Sequence, residues 1–171
     1  MPITSTIQYV KAQLDGLAMP GGIPNMAAYI TPPDPNVEAE IPTCYIWPTK
    51  GREARESGRG GTIPRNTGPQ TPSGTKPITH MIDLFVVYFG ADDDPQADSA
   101  FPGIVDAVMY ALRTDPEDPV VVTDPYTGQQ SQLIDVGETI SYEIVISAVE
   151  DQRYNRYDAL IIAEIMELLQ A

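Results

Sequence analysis

The sequence predicts a single domain of mixed helix and strand, and three observations carry that reading. Apolar residues recur at helical spacing in two places, near the N-terminus and in the middle of the chain. Dense β-branched and aromatic runs mark strands between and after them. With 171 residues and 42% hydrophobic content, the chain can build one core beside a long polar excursion.

Thr4 to Leu17 spaces Ile7, Val10, Leu14 and Leu17 three or four residues apart, which predicts an amphipathic helix with Thr4 and Ser5 as capping candidates. Gly21, Gly22 and Pro24 stop it. Ala27 to Ile30 reads as a brief strand, and Pro32-Pro33-Asp34-Pro35 imposes a turn before the strand centred on Cys44 and Trp47. Pro48 to Pro77 holds six glycines and five prolines with few large apolar groups, so it predicts a long connection that is mobile in the monomer and orders on assembly.

Ile78 to Phe89 carries the run Leu84-Phe85-Val86-Val87-Tyr88-Phe89, a strong strand signal closed by Gly90 and Asp92-Asp93-Asp94-Pro95. Phe101 to Arg113 has helix spacing, with Ile104, Val108 and Leu112 on one face and Ser99 as its expected cap. Val120 to Val122, Gln132 to Val136 and Thr139 to Val149 read as strands, the last two divided by Gly137. Ala159 to Leu169 is ambiguous. Its helix formers favour a helix by periodicity, while Ile161, Ala163, Ile165 and Leu169 share a strand face if Glu167 lies near an exposed end.

Charge is distributed unevenly. Six of the ten basic residues, Lys50, Arg52, Arg55, Arg59, Arg65 and Lys76, lie between Pro48 and Pro77, whereas the rest of the chain sets 22 acidic residues against 4 basic ones. A positive arm on a body of net charge −14 suits contact with an acidic neighbour and argues against a whole surface that binds DNA or an anionic membrane. No stretch approaches 18 consecutive apolar residues and no signal-type leader is visible, so a soluble, non-secreted protein is expected.

The residues that could carry chemistry form no recognisable constellation. Cys44 is the only cysteine and sits in an apolar run, which reads as packing rather than a reactive thiol. His80, the only histidine, has no nucleophile motif nearby and reads as structural or surface rather than a general base. Asp92-Asp93-Asp94 with Asp98 offers oxygen ligands to a hard cation but lacks the glycine and terminal glutamate of a calcium loop, so a solvated turn is the preferred reading. Asp115 to Pro119 reads the same way. The glycines among the basic residues lack the Gly-x-x-x-x-Gly-Lys-Ser/Thr pattern of a phosphate loop. No cofactor and no metal is expected.

The order of elements resembles the tail terminators of long-tailed bacteriophages and the related tail-completion and minor tail proteins. The features that carry it are the N-terminal helix, the strands at Thr43 to Trp47 and Ile78 to Phe89, the helix at Phe101 to Arg113, and the closing pattern from Asp124-Pro125-Tyr126-Thr127-Gly128 through Arg153-Tyr154-Asn155-Arg156-Tyr157-Asp158-Ala159-Leu160-Ile161. The resemblance implies an α+β fold, a mainly antiparallel sheet with both helices packed against it, and a strand for the last segment. It also implies a non-enzymatic virion protein that forms a hexameric ring at the head-proximal end of the tail tube. Such a ring stops tube growth and meets the head connector or stopper. Its expected partners are further copies of itself, the tube protein and the connector, with the arginines of the arm pairing with acidic neighbours or touching genomic DNA non-specifically in the channel. The long basic arm departs from a compact member. A head-completion or connector protein of the neck is the alternative within the same assembly, and a small metal-dependent enzyme the alternative outside it.

Overall fold

The computed structural model describes residues 2–33, 41–53, 76–91, 95–113, 120–148 and 154–169. Along the chain these form α1 (Pro2–Leu14), β1 (Ala27–Tyr29), β2 (Thr43–Glu53), β3 (Lys76–Ala91), α2 (Pro95–Leu112), β4 (Val120–Thr123), β5 (Gln130–Ala148) and β6 (Tyr154–Leu169). The strands make one sheet in the order β1-β2-β3-β6-β5-β4. Among the described strands, only the short β1–β2 pair is parallel; the other four pairs are antiparallel. This is the α+β architecture expected from the sequence, with an N-terminal and a central helix on a mainly antiparallel sheet.

The helical reading of 159–169 is overturned: these residues belong to β6. Tyr157, Ala159, Ile161, Ala163, Ile165 and Glu167 are all buried, whereas the residues between them are half-buried or exposed, a period of two. β3 and β5 flank β6 and give its backbone polar groups partners on both sides, so local helix propensity loses to long-range pairing. Residues 130–148 form one strand where Gly137 had suggested two; register shifts between Leu133 and Asp135 and between Val136 and Ile140 absorb the irregularity within it.

Both helices lie on the same face of the sheet. Ile7, Val10 and Leu14 of α1 and Phe101, Ile104, Val105, Val108 and Leu112 of α2 meet Ile46, Ile82, Leu84 and Ile161 in one core. The buried Tyr157 ring stands 5.3 Å from Phe101 and 6.2 Å from Tyr88, so it joins α2 to the middle of the sheet. α1 ends at Leu14, three residues earlier than its apolar spacing suggested, because Gly16 turns left-handed at φ 82° and its N–H bonds to the Met26 carbonyl. α2 starts at Pro95, so Ser99 lies inside the helix and is not its cap. A side chain at Gly103 would place its Cβ 3.1 Å from the Pro20 ring, so glycine allows α2 to settle on the 3₁₀ turn at Pro20–Gly22.

The connection is shorter at both ends than Pro48 to Pro77. β2 runs through Pro48, Lys50 and Arg52 to Glu53, and β3 begins at Lys76. Proline is tolerated here because an irregularity at Thr49 follows it directly. Arg55, Arg59 and Arg65 lie outside the described residues.

Candidate functional site

β2 ends, β3 begins, β6 ends and β5 begins at one end of the sheet, and a buried polar cluster sits there on the helix-covered face. Its centre is Glu167, fully buried in β6. Oε2 accepts from Thr6 Oγ1 at 2.9 Å and from His80 Nε2 at 2.8 Å. Oε1 accepts from Ser5 Oγ at 3.4 Å and from Ser131 Oγ at short range. An ionised carboxylate offers about four lone-pair positions, and these four donors use them. They come from α1, β3 and β5, so one side chain of β6 ties three other elements to itself.

Burial pushes the Glu167 carboxyl up, but the hydrogen bonds from His80, Ser131 and Thr6, with the nearby imidazole, outweigh it and the net shift is downward. The carboxylate also assigns the ring proton of His80 to Nε2. Nδ1 is buried and has no hydrogen-bond partner among the described residues. Gly51 pairs with His80 across β2 and β3, and a Cβ there would stand 3.8 Å from Nδ1.

Beside the cluster, Asp124 Oδ1 accepts the N–H groups of Tyr126 at 2.8 Å and Thr127 at 3.0 Å, which closes the turn between β4 and β5 with Gly128 at φ 71°. Ser5, Asp124, Gln129, Ser131, Glu167 and Leu169 line a narrow crevice between this turn and the cluster. The chemistry of the arrangement is that of a clamp. In a nucleophilic relay the hydroxyl faces the imidazole and the imidazole faces the acid. Here Ser131 and His80 both donate to the same carboxylate.

The expected site residues fall into two groups. Lys50 is exposed on β2, and Arg52 and Lys76 take register positions opposite Thr79 and Leu169, so all three stand at the same sheet end as the cluster. Arg55, Arg59 and Arg65 lie outside the described residues, as do Asp92 to Asp94 and Asp115 to Asp118. Among the described residues, no group of three or more His, Cys, Asp or Glu side chains is placed to hold a metal ion. Cys44 is buried and its thiol is pushed up to about 12 by burial, consistent with packing.

Sequence reasoning missed Glu167, Ser5, Thr6 and Ser131 as a group. The available signal was that Glu167 shares the parity of Ile161, Ala163 and Ile165 in a strand register. The strand alternative puts Glu167 near an exposed end, and its burial corrects that. The opposite face of the sheet carries no described helix: half-buried Phe85, Leu160 and Ile162 lie there with Trp47, which is 39% exposed. No family model matches the chain, and no curated protein matches it either.

Proposed function

We propose that this chain is a structural virion protein that forms a ring at the head-proximal end of a bacteriophage tail tube, stops tube polymerisation and provides the surface that joins the head. The observation that carries the reading is the one-sided sheet. Among the described residues, helices cover one face, whereas the other keeps a half-buried apolar centre with an exposed tryptophan, and basic residues gather at one end. A part that works by geometry needs such unspent surface: one for the last tube ring, one for its own neighbours, and none that copies the tube's recruiting surface. The buried cluster supports the same reading, since Ser5, Thr6, His80 and Ser131 brace α1, β3, β5 and β6 through the Glu167 carboxylate.

Cross-linking mass spectrometry on intact particles tests it. Links from this chain to a tail-tube subunit and to a connector are expected. Links to portal-side proteins alone would make it a head-completion protein, and its absence from particles would end the virion reading.

A further inference from the structure

Among the described strands, the sheet has two incompletely paired edges, on opposite sides. β4 pairs only with Gln130 to Leu133 of β5, so no described strand lies along the outer edge of β5 beyond Leu133. Ser141, Tyr142, Glu143 and Val145 are exposed there, with Tyr142 at 56% and Val145 at 49%. On the other side β1 pairs only with Thr43 to Tyr45 of β2, and from Ile46 to Glu53 the outer edge of β2 again has no described partner. An open strand edge of this length is a template for pairing with another chain.

We propose that the outer edge of β5 in one copy pairs head to tail with the outer edge of β2 in the next, Lys50 opposite Glu143. Polarity permits it. β2, β3, β6 and β5 alternate in direction, so β5 meets β2 of a following copy antiparallel, as in the pairs inside the sheet. Parity permits it too. Glu143 is tied through Leu160 to Phe85, and Lys50 stands opposite Met81, so both lie on the face away from the helices.

Two more contacts then follow, in a junction confined to Ile46–Glu53 of β2, because β1 already holds Thr43 to Tyr45 and the last residues of β5, Ser147 and Ala148, must leave the edge there. Across the irregularity at Thr49, Trp47 comes opposite Val145, one exposed apolar side chain against another. Gly51 comes opposite Tyr142, on the helix side, and leaves room for its ring. The register thus matches a charge pair, an apolar pair and a ring with a gap. Pro48 has no N–H to give the facing strand, so the ladder lacks one bond there, beside the irregularity at Thr49.

The stagger fits closure. Within one copy Glu143 is level with Tyr45; opposite Lys50 it moves by about four residues once the irregularity is counted, or about 13 Å at ~3.3 Å per residue. Four strands per copy span about 19 Å at ~4.8 Å spacing, so the strands would tilt roughly 35° to the ring axis, the range in which closed sheets sit. Closure into a ring rests on the function proposed above; the strand junction does not.

The test mixes a Lys50→Cys chain with a Glu143→Cys chain under mild oxidation, with Lys50→Cys plus Tyr110→Cys as the control, since Tyr110 is 77% exposed on α2. Mixed dimers at several times the control yield are expected, and a chain carrying both Lys50→Cys and Glu143→Cys should give a ladder of oligomers. Predominant Glu143→Cys self-dimers would mean two-fold joining, and a yield equal to the control would mean none; either overturns the junction. A ladder from a protein that is absent from tail particles would leave the junction standing and remove the terminator reading. Particle links to tube and connector without a ladder would do the reverse.

Discussion

His80 and Glu167 meet at 2.8 Å between adjacent strands although they are not register partners: His80 stands opposite Ile165, and Glu167 opposite Ile78. The contact is therefore a diagonal one on the helix-covered face, and it draws β3 and β6 together where α1 crosses the sheet end. Ser5 and Thr6 of α1 reach the same carboxylate. The clamp thus adds a polar tie between the N-terminal helix and β6 to the apolar packing of Ile7, Val10 and Leu14.

Removing that side chain should therefore cost more than an ordinary surface change. Glu167→Ala takes the shared acceptor from buried His80 and Ser131 and removes the tie to α1, and about 3 kcal/mol is the expected loss. For a chain of this size that corresponds to a melting temperature lower by about 6–12 °C. Thr6→Val keeps the shape, removes one hydroxyl and should cost about 1 kcal/mol. Chemical denaturation of the three proteins checks the order.

Acid should act through the same residue. The folded Glu167 carboxyl titrates below its ordinary value, so across that interval the unfolded chain binds more protons and stability rises with pH. The contribution is complete above the ordinary glutamate value of about 4.3 and is lost as pH falls through the lower folded value. The difference in melting temperature between the wild type and Glu167→Gln should thus be constant near neutrality and shrink below about pH 4. A difference that stayed constant down to pH 3 would show that another group carries the acid sensitivity.

The parts of this fold that were legible in the sequence were those set by local pattern. Val10 and Leu14 in α1, the run from Leu84 to Phe89, and Ile104, Val108 and Leu112 in α2 each fall where spacing put them. The last strand was less legible because Leu160, Ile161, Ile162 and Ala163 satisfy either period, and what decides between them is pairing with β3 and β5. The cluster was least legible. Ser5 and Glu167 are 162 positions apart, and an acidic residue close to a chain end gives no local sign that donors from three other elements surround it.

Cys44 offers a probe of opening in the unmodified chain. Its thiol is buried and its pKa raised to about 12, so at pH 8 the folded protein should resist a thiol reagent and react only through opening. A loss of 3 kcal/mol in global stability raises the open population by about a hundredfold, since ~1.4 kcal/mol is tenfold. Labelling of Cys44 in Glu167→Ala should accelerate by that factor if opening is global. An unchanged rate would mean that the clamp closes only the sheet end and that β2 opens independently of it.

The basic residues should separate assembly from folding. Arg52, Arg55, Arg59 and Arg65 changed together to glutamine remove four of the ten positive charges from a chain of net charge −14. Charge substitutions away from a core usually change stability by about 0.5 kcal/mol or less, and these arginines stand in a Gly/Pro-rich sequence with few large apolar groups, so the monomer should melt within a few degrees of the wild type. Assembly should weaken, because the substitutions remove the local attraction that offsets repulsion between acidic copies. Raising salt should weaken wild-type assembly in the same direction and affect the variant less, since screening acts on charges the variant no longer has. Sedimentation of particles assembled with each protein at low and physiological salt measures both effects, and equal assembly at physiological salt would remove the basic segment from the mechanism.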